Sequence, residues 1–92
     1  MKPVQDMVRI YREVVSFVIK VCDEQWSSIS GIQTLERKQS FVEGLIHHTK
    51  DRPMVQYDQF DILFYKLPSY MRRAAISDAV GAVESYRSRL KI

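Results

Sequence analysis

The segment Phe64-Tyr65-Lys66-Leu67-Pro68-Ser69-Tyr70-Met71-Arg72-Arg73-Ala74-Ala75-Ile76 holds the densest set of groups able to do chemistry in this chain. A helix opening near Pro68 puts Arg72 and Arg73 in its first turn. The start of a helix carries about half a positive charge, so each arginine there is unfavourable by about 0.3 to 1 kcal/mol at an exposed site. Free backbone N–H groups, two guanidinium forks, the Ser69 hydroxyl and the Lys66 amine together suit an anion, phosphate foremost. A break with local preference is most often functional at that spot. The competing reading is structural: Arg72 and Arg73 pair with Asp58, Asp61 or another acid on the preceding connection. Tyr65 and Tyr70 flank the cluster and are able to stack on bases or sugars, while Arg87, Arg89 and Lys91 carry positive charge to the far end.

Other reactive side chains give weaker signals. There is no Gly-rich phosphate loop, nucleophile elbow or paired-histidine metalloprotease motif. His47 and His48 are adjacent, so on a helix they point about 100° apart and cannot chelate one metal as an i, i+4 pair would; they read as solvated or capping residues. Cys22 falls on an apolar helix face and reads as a small buried hydrophobe. Asp58 and Asp61 are too few for two-metal catalysis. The expectation is a protein without enzymatic activity, cofactor or metal.

The elements that position these groups are helical, because apolar residues recur at steps of three and four. A first helix is expected from about Val4 to Ser27, with Pro3 tolerated at its start. At about 100° per residue, Gln5, Arg9, Arg12, Glu13, Ser16, Lys20, Asp23, Glu24 and Ser27 form its solvent face. The apolar remainder, from Val4 to Trp26, spans about 200°, where an ordinary surface helix needs little more than 100°. Such a helix must be central or lean on something else. After the turn-forming Ser28-Ile29-Ser30-Gly31, Thr34 or a neighbour caps a second helix reaching about His48. Residues 49–63 read as an irregular or briefly helical connection. A third helix runs from near Pro68 to about Leu90, with an apolar seam of Met71, Ala75, Ala79, Ala82, Tyr86 and Leu90 beside Ile76, Val80 and Val83. Tyr86 is expected in the core, and Gly81 where a neighbouring backbone approaches closely. The fold class is all-α: a small bundle of about three helices with an irregular connection before the last.

Composition bounds the function. Ninety-two residues make a single domain near the lower size for a lone core. One cysteine excludes an internal disulfide and fits a reducing, intracellular setting. No targeting segment or membrane span is visible, which suits a water-soluble, cytoplasmic protein. The net charge is +3, but residues 64–92 hold six bases against two acids, whereas residues 1–63 hold eight bases and nine acids. A basic last third points to nucleic acid or another polyanion.

The Phe64–Ile76 segment, with Ala79-Val80-Gly81-Ala82-Val83-Glu84-Ser85-Tyr86, resembles the N-terminal region of prokaryotic insertion-sequence transposases of the OrfB/TnpB type. Ile10-Tyr11-Arg12 and Leu45-Ile46-His47-His48-Thr49-Lys50 look like upstream blocks of that family, so the resemblance spans nearly all of the chain. Met71 stands where that family has leucine. The resemblance implies a relative of RNA-guided DNA nucleases. Full-length members place a β-barrel wedge and a helical recognition region before an RNase H-like nuclease domain with a zinc-finger insertion. This chain then corresponds to the helical recognition part, a fragment or truncated form of a larger transposase; the nuclease carboxylates and zinc cysteines have no counterparts. Recognition helices of this kind line a basic channel holding the guide RNA–DNA heteroduplex by its backbone, without base readout. The phosphate contacts implied are Lys66, Ser69, Arg72 and Arg73, with Arg87 and Arg89 behind them. Two hypotheses remain: a nucleic-acid-binding recognition module used in transposition, or a helical interaction domain that forms homo-oligomers through the apolar face of its first helix.

Overall fold

The computed structural model describes residues 3–90, with side chains from residue 6 onward; Lys91 and the side chains of Val4 and Gln5 lie outside the described residues. Its elements are α1 (Pro3–Glu24), α2 (Trp26–Ile29), α3 (Leu35–Ile46), α4 (Gln59–Leu63) and α5 (Ser69–Leu90). The fold is an all-helical bundle in which three long helices make the frame and two short ones close it. Among the described residues there is no strand, and no helix is long and apolar enough to cross a membrane.

Helix α1 contains many β-branched residues, which are mediocre helix formers, so its stability comes from its buried face. Val14, Val18, Val21 and Cys22 are fully buried, and Ile10, Tyr11, Val15, Phe17 and Ile19 pack around them. The solvent face matches the sequence pattern from Arg9 to Glu24, and the wide apolar arc makes α1 central. Only at its start do apolar side chains stay half exposed, Met7 at 42% and Val8 at 47%. The expected continuation to Ser27 breaks at Gln25, after which α2 turns Ile29 into the core. The cap of α3 is the expected one: the Arg37 N–H donates to the Thr34 hydroxyl at 3.2 Å.

Contacts between the ends fix the directions. The Tyr11 hydroxyl donates to Asp78, and Arg87 donates to Asp23, so residue numbers rise together along α1 and α5 and the two helices run parallel. Glu43 meets Arg72 and Lys38 meets Glu84, so α3 runs antiparallel to α5. Helix α5 thus lies between α1 and α3, burying Arg72, Ala75, Ile76, Ala79, Val80 and Val83. Phe60 and Phe64, at either end of α4, lock onto Phe17 of α1 with ring centroids 5.4 and 6.0 Å away, edge to face.

Two expectations for α5 need correction. Its buried face, Arg72, Ala75, Ile76, Ala79, Val80 and Val83, is rotated from the expected seam, so Ala82 is exposed and Tyr86 lies 56% exposed at the edge of a hollow beside Ile19 and Asp23 of α1 rather than in the core. Gly81 is exposed, and a Cβ placed there would meet nothing within 4 Å, so no backbone packs against it.

Candidate nucleic-acid interface

The start of α5 is built by the turn before it. The Leu67 N–H donates to the Phe64 carbonyl at 3.2 Å, and the Met71 and Arg72 N–H groups both donate to the Pro68 carbonyl at 3.1 Å, making Pro68 the cap residue. Proline offers no side-chain oxygen, and no acid lies in the first turn, so the residues of α5 itself give its positive end no partner. Lys66 reaches this turn with φ at 66°, the left-handed region that favours glycine. Its Nζ lies 5.5 Å from the centre of the exposed Tyr65 ring.

The six residues singled out from the sequence divide into two groups. Lys66, Ser69, Arg73 and Arg89 are exposed, and Lys66, Arg73 and Arg89 have no ion-pair partner among the described residues. Arg72 and Arg87 hold helices together. The Arg72 Nε donates to Glu43 Oε2 at 2.8 Å, with the two side chains 10% and 23% exposed. That is the structural tie weighed from the sequence, but its acid comes from α3 rather than from Asp58 or Asp61. Arg87 binds Asp23 at 2.7 Å through Nη2 and at 3.2 Å through Nε, tying α5 to α1. Ser69 and Arg73 lie one turn apart at the start of α5 and Lys66 in the turn before it, but Lys66 lines a hollow with His47 and His48 whereas Arg73 lines another with Glu36 and Glu43 of α3; Arg89 lies at the other end of the helix. Tyr70 is exposed beside them.

A second cluster was not found by sequence reasoning. Helix α3 ends at Ile46, and His47 takes an extended conformation (φ −120°, ψ 120°). Released from the helix, both histidines reach Asp61 on α4: His47 Nδ1 lies 2.8 Å from Oδ1 and His48 Nδ1 2.6 Å from Oδ2, while the His48 backbone N–H donates to Oδ2 at 2.9 Å. They are therefore ligands of one carboxylate rather than simply solvated residues. Burial pushes the Asp61 carboxyl up, but the hydrogen bonds from His47 and from the His48 backbone outweigh it and hold the group below the usual carboxylate range. The only signal in the sequence was the His-His pair at an expected helix end, and nothing in its spacing names Asp61. Among the described residues no group of three or more His, Cys, Asp or Glu side chains is arranged to hold a metal ion. Arg52 supports the turn: its Nη2 donates to the His47 carbonyl at 2.9 Å, placing a cation at the negative end of α3.

Together, His47, His48, Asp61, Tyr65, Lys66 and Arg72 line a cleft of about 220 Å³ next to the start of α5. This end of the molecule offers cationic side chains, an exposed aromatic ring and two imidazoles. No curated protein and no solved structure matches the chain. One family model does, over residues 1–92 and so across every element described above, and the chain belongs to the Aq_aa04 family.

Proposed function

We propose that this protein is a helical module that binds nucleic acid by its phosphate backbone, with Lys66, Ser69 and Arg73 as the contacts. The observation that carries the reading is the start of α5, which has no acid of its own in the first turn and no side-chain cap and carries exposed Ser69 and Arg73 with Lys66 in the turn before them. Arg72 aligns the helix through Glu43, Arg87 anchors its far end, and Arg89 adds long-range charge. Tyr65 and Tyr70 supply stacking surfaces. The resemblance to OrfB/TnpB-type transposases supports the same reading and extends it: a cytoplasmic recognition domain, part of a larger transposase, holding a guide RNA–DNA duplex or target DNA through backbone geometry and charge.

The test is fluorescence anisotropy with duplex DNA, RNA–DNA hybrid and structured RNA at two salt concentrations. The wild-type chain is compared with Lys66→Gly/Arg73→Ala, because glycine suits the left-handed backbone at 66 and neither change touches the Arg72–Glu43 tie. Binding is expected to weaken steeply with salt, and the double variant to bind more weakly with a salt slope shallower by about 2, one for each phosphate that it no longer neutralises. Absence of binding at low salt, or equal binding by the variant, overturns the reading.

One observation favours the interaction-domain reading. Ile62 (74% exposed), Leu63 (61%) and Tyr65 (77%) form an apolar strip. It borders a hollow of about 230 Å³ shared with Met7 and Ile10. This strip lies on α4 and its flank, and of the first helix only the start borders it. Self-association through it would persist at high salt, where phosphate contacts fade.

A further inference from the structure

The His47–Asp61–His48 cluster has a chemical consequence that phosphate binding does not use. An ionised carboxylate only accepts hydrogen bonds, and Asp61 is held in its ionised form by the donors around it. Each Nδ1 facing it therefore carries a hydrogen, which leaves Nε2 of each ring as the atom that can gain or lose a proton. The carboxylate fixes tautomer and orientation for both imidazoles at once, the role an acid plays behind a catalytic histidine. The ring centroids are 5.9 Å apart and inclined by 34°. The rings are too close for a group to enter between their faces, but their Nε2 edges lie away from Asp61 and both rings line one cleft, so a phosphoryl group set against those edges would meet a proton acceptor and a donor. Lys66 lines the same cleft and brings positive charge to a phosphate placed there, whereas the charge of Arg72 is taken up by Glu43.

We propose that this cleft cleaves RNA by general acid–base catalysis, with the imidazoles of His47 and His48 exchanging protons with the substrate and Lys66 holding the phosphate. The proposal rests on the nucleic-acid reading above and names its substrate as single-stranded RNA. One neutral imidazole accepts the proton of a ribose 2′-hydroxyl through Nε2. The 2′-oxygen bonds to the adjacent phosphorus as the bond from phosphorus to the 5′-oxygen breaks. The other imidazole, protonated, gives its Nε2 proton to that leaving oxygen. The products are a 2′,3′-cyclic phosphate and a free 5′-hydroxyl, and proton exchange with water resets the pair. DNA lacks the nucleophile. The nucleophile belongs to the substrate, so the protein supplies only orientation, proton transfer and charge. Asp61 acts through the histidines and is a positioning residue.

The experiment incubates the full chain, in the presence of a chelator, with a labelled single-stranded RNA, its DNA counterpart and its 2′-O-methyl counterpart, reading products on a denaturing gel and binding by anisotropy. Cleavage of the RNA alone, cyclic-phosphate ends and a bell-shaped pH–rate profile are expected. His48→Gln and His47→Gln, each confirmed as folded by circular dichroism, should lose about 100-fold in rate or more while binding RNA within about twofold of wild type. Asp61→Asn cannot present two acceptors to two Nδ1–H groups, so it should shift the pH profile as well as lower the rate. RNA that is bound but left intact, or cut equally by His48→Gln, overturns this proposal and leaves the binding function standing. RNA that is neither bound nor cut overturns this proposal, and the duplex and hybrid titrations described above then decide the binding function separately.

Discussion

Arg72 shows how one side chain answers two demands. In the first turn of α5 it opposes the helix dipole, yet the Glu43 carboxylate 2.8 Å away supplies the negative charge that the turn lacks. Replacing it with methionine keeps most of the buried volume but leaves Glu43 mostly buried without its partner. Arg72→Met should lower stability by about 1 to 3 kcal/mol in chemical denaturation, and adding Glu43→Gln should restore part of the loss. The arginine anomaly was legible in the sequence because it is local. Its partner was not, because Glu43 lies 29 residues earlier and only the docking of α3 on α5 brings it near. His47 caps α3 and His48 is exposed, as the sequence suggested, but their shared partner was missed for a related reason: a helix carried two residues too far turns their side chains apart, whereas release at Ile46 lets both meet Asp61.

Among the elements, boundaries written in local chemistry were readable: Pro3 at the start of α1, Thr34 as the cap of α3 and Pro68 before α5. The break at Gln25 carries no proline or glycine to announce it and arises because α2 must swing Ile29 inward. The seam of α5 was misplaced near its end because periodicity says which residues share a face, not which edge of that face the neighbouring helices cover. Gly81 sits on the solvent side of α5 between buried Val80 and Val83, an exposed helix interior with open space beyond its Cα. Gly81→Ala should therefore stabilise the protein by about 0.5 to 1 kcal/mol. For a domain of this size that raises the melting temperature by roughly 2 to 8 °C, measurable by differential scanning calorimetry. A close-packed glycine, as expected from the sequence, would give the opposite sign.

At the scale of the molecule, the chain exposes 6630 Å², against about 5,500 Å² expected for a compact protein of its mass. Its extents of 46 × 32 × 19 Å describe a slab one helix layer thinner than a globule. A core that thin leaves each buried titratable group coupled to global unfolding. Burial pushes the Cys22 thiol up to about 12, and burial together with the Asp78 carboxylate pushes the Tyr11 hydroxyl up to about 12. Both groups are neutral in the fold and ionise more easily once unfolded. Their contribution is complete below the ordinary thiol range and is lost as pH rises toward 12. Urea melts from pH 8 to 11 should show midpoints falling steadily above pH 9, and Cys22→Ala should flatten the first part of that fall. The parallel course of α1 and α5 has a further effect at this scale. Two 22-residue helices pointing the same way add their dipoles, and the shorter antiparallel α3 cancels only part of the sum. The slab is therefore polarised along its length, with its positive pole at the end bearing Lys66, Ser69 and Arg73. The backbone field is short-ranged and salt-screened, so at that end it adds to the side-chain charges only for a group within about a turn of the α5 start, while Asp6 offsets it at the start of α1.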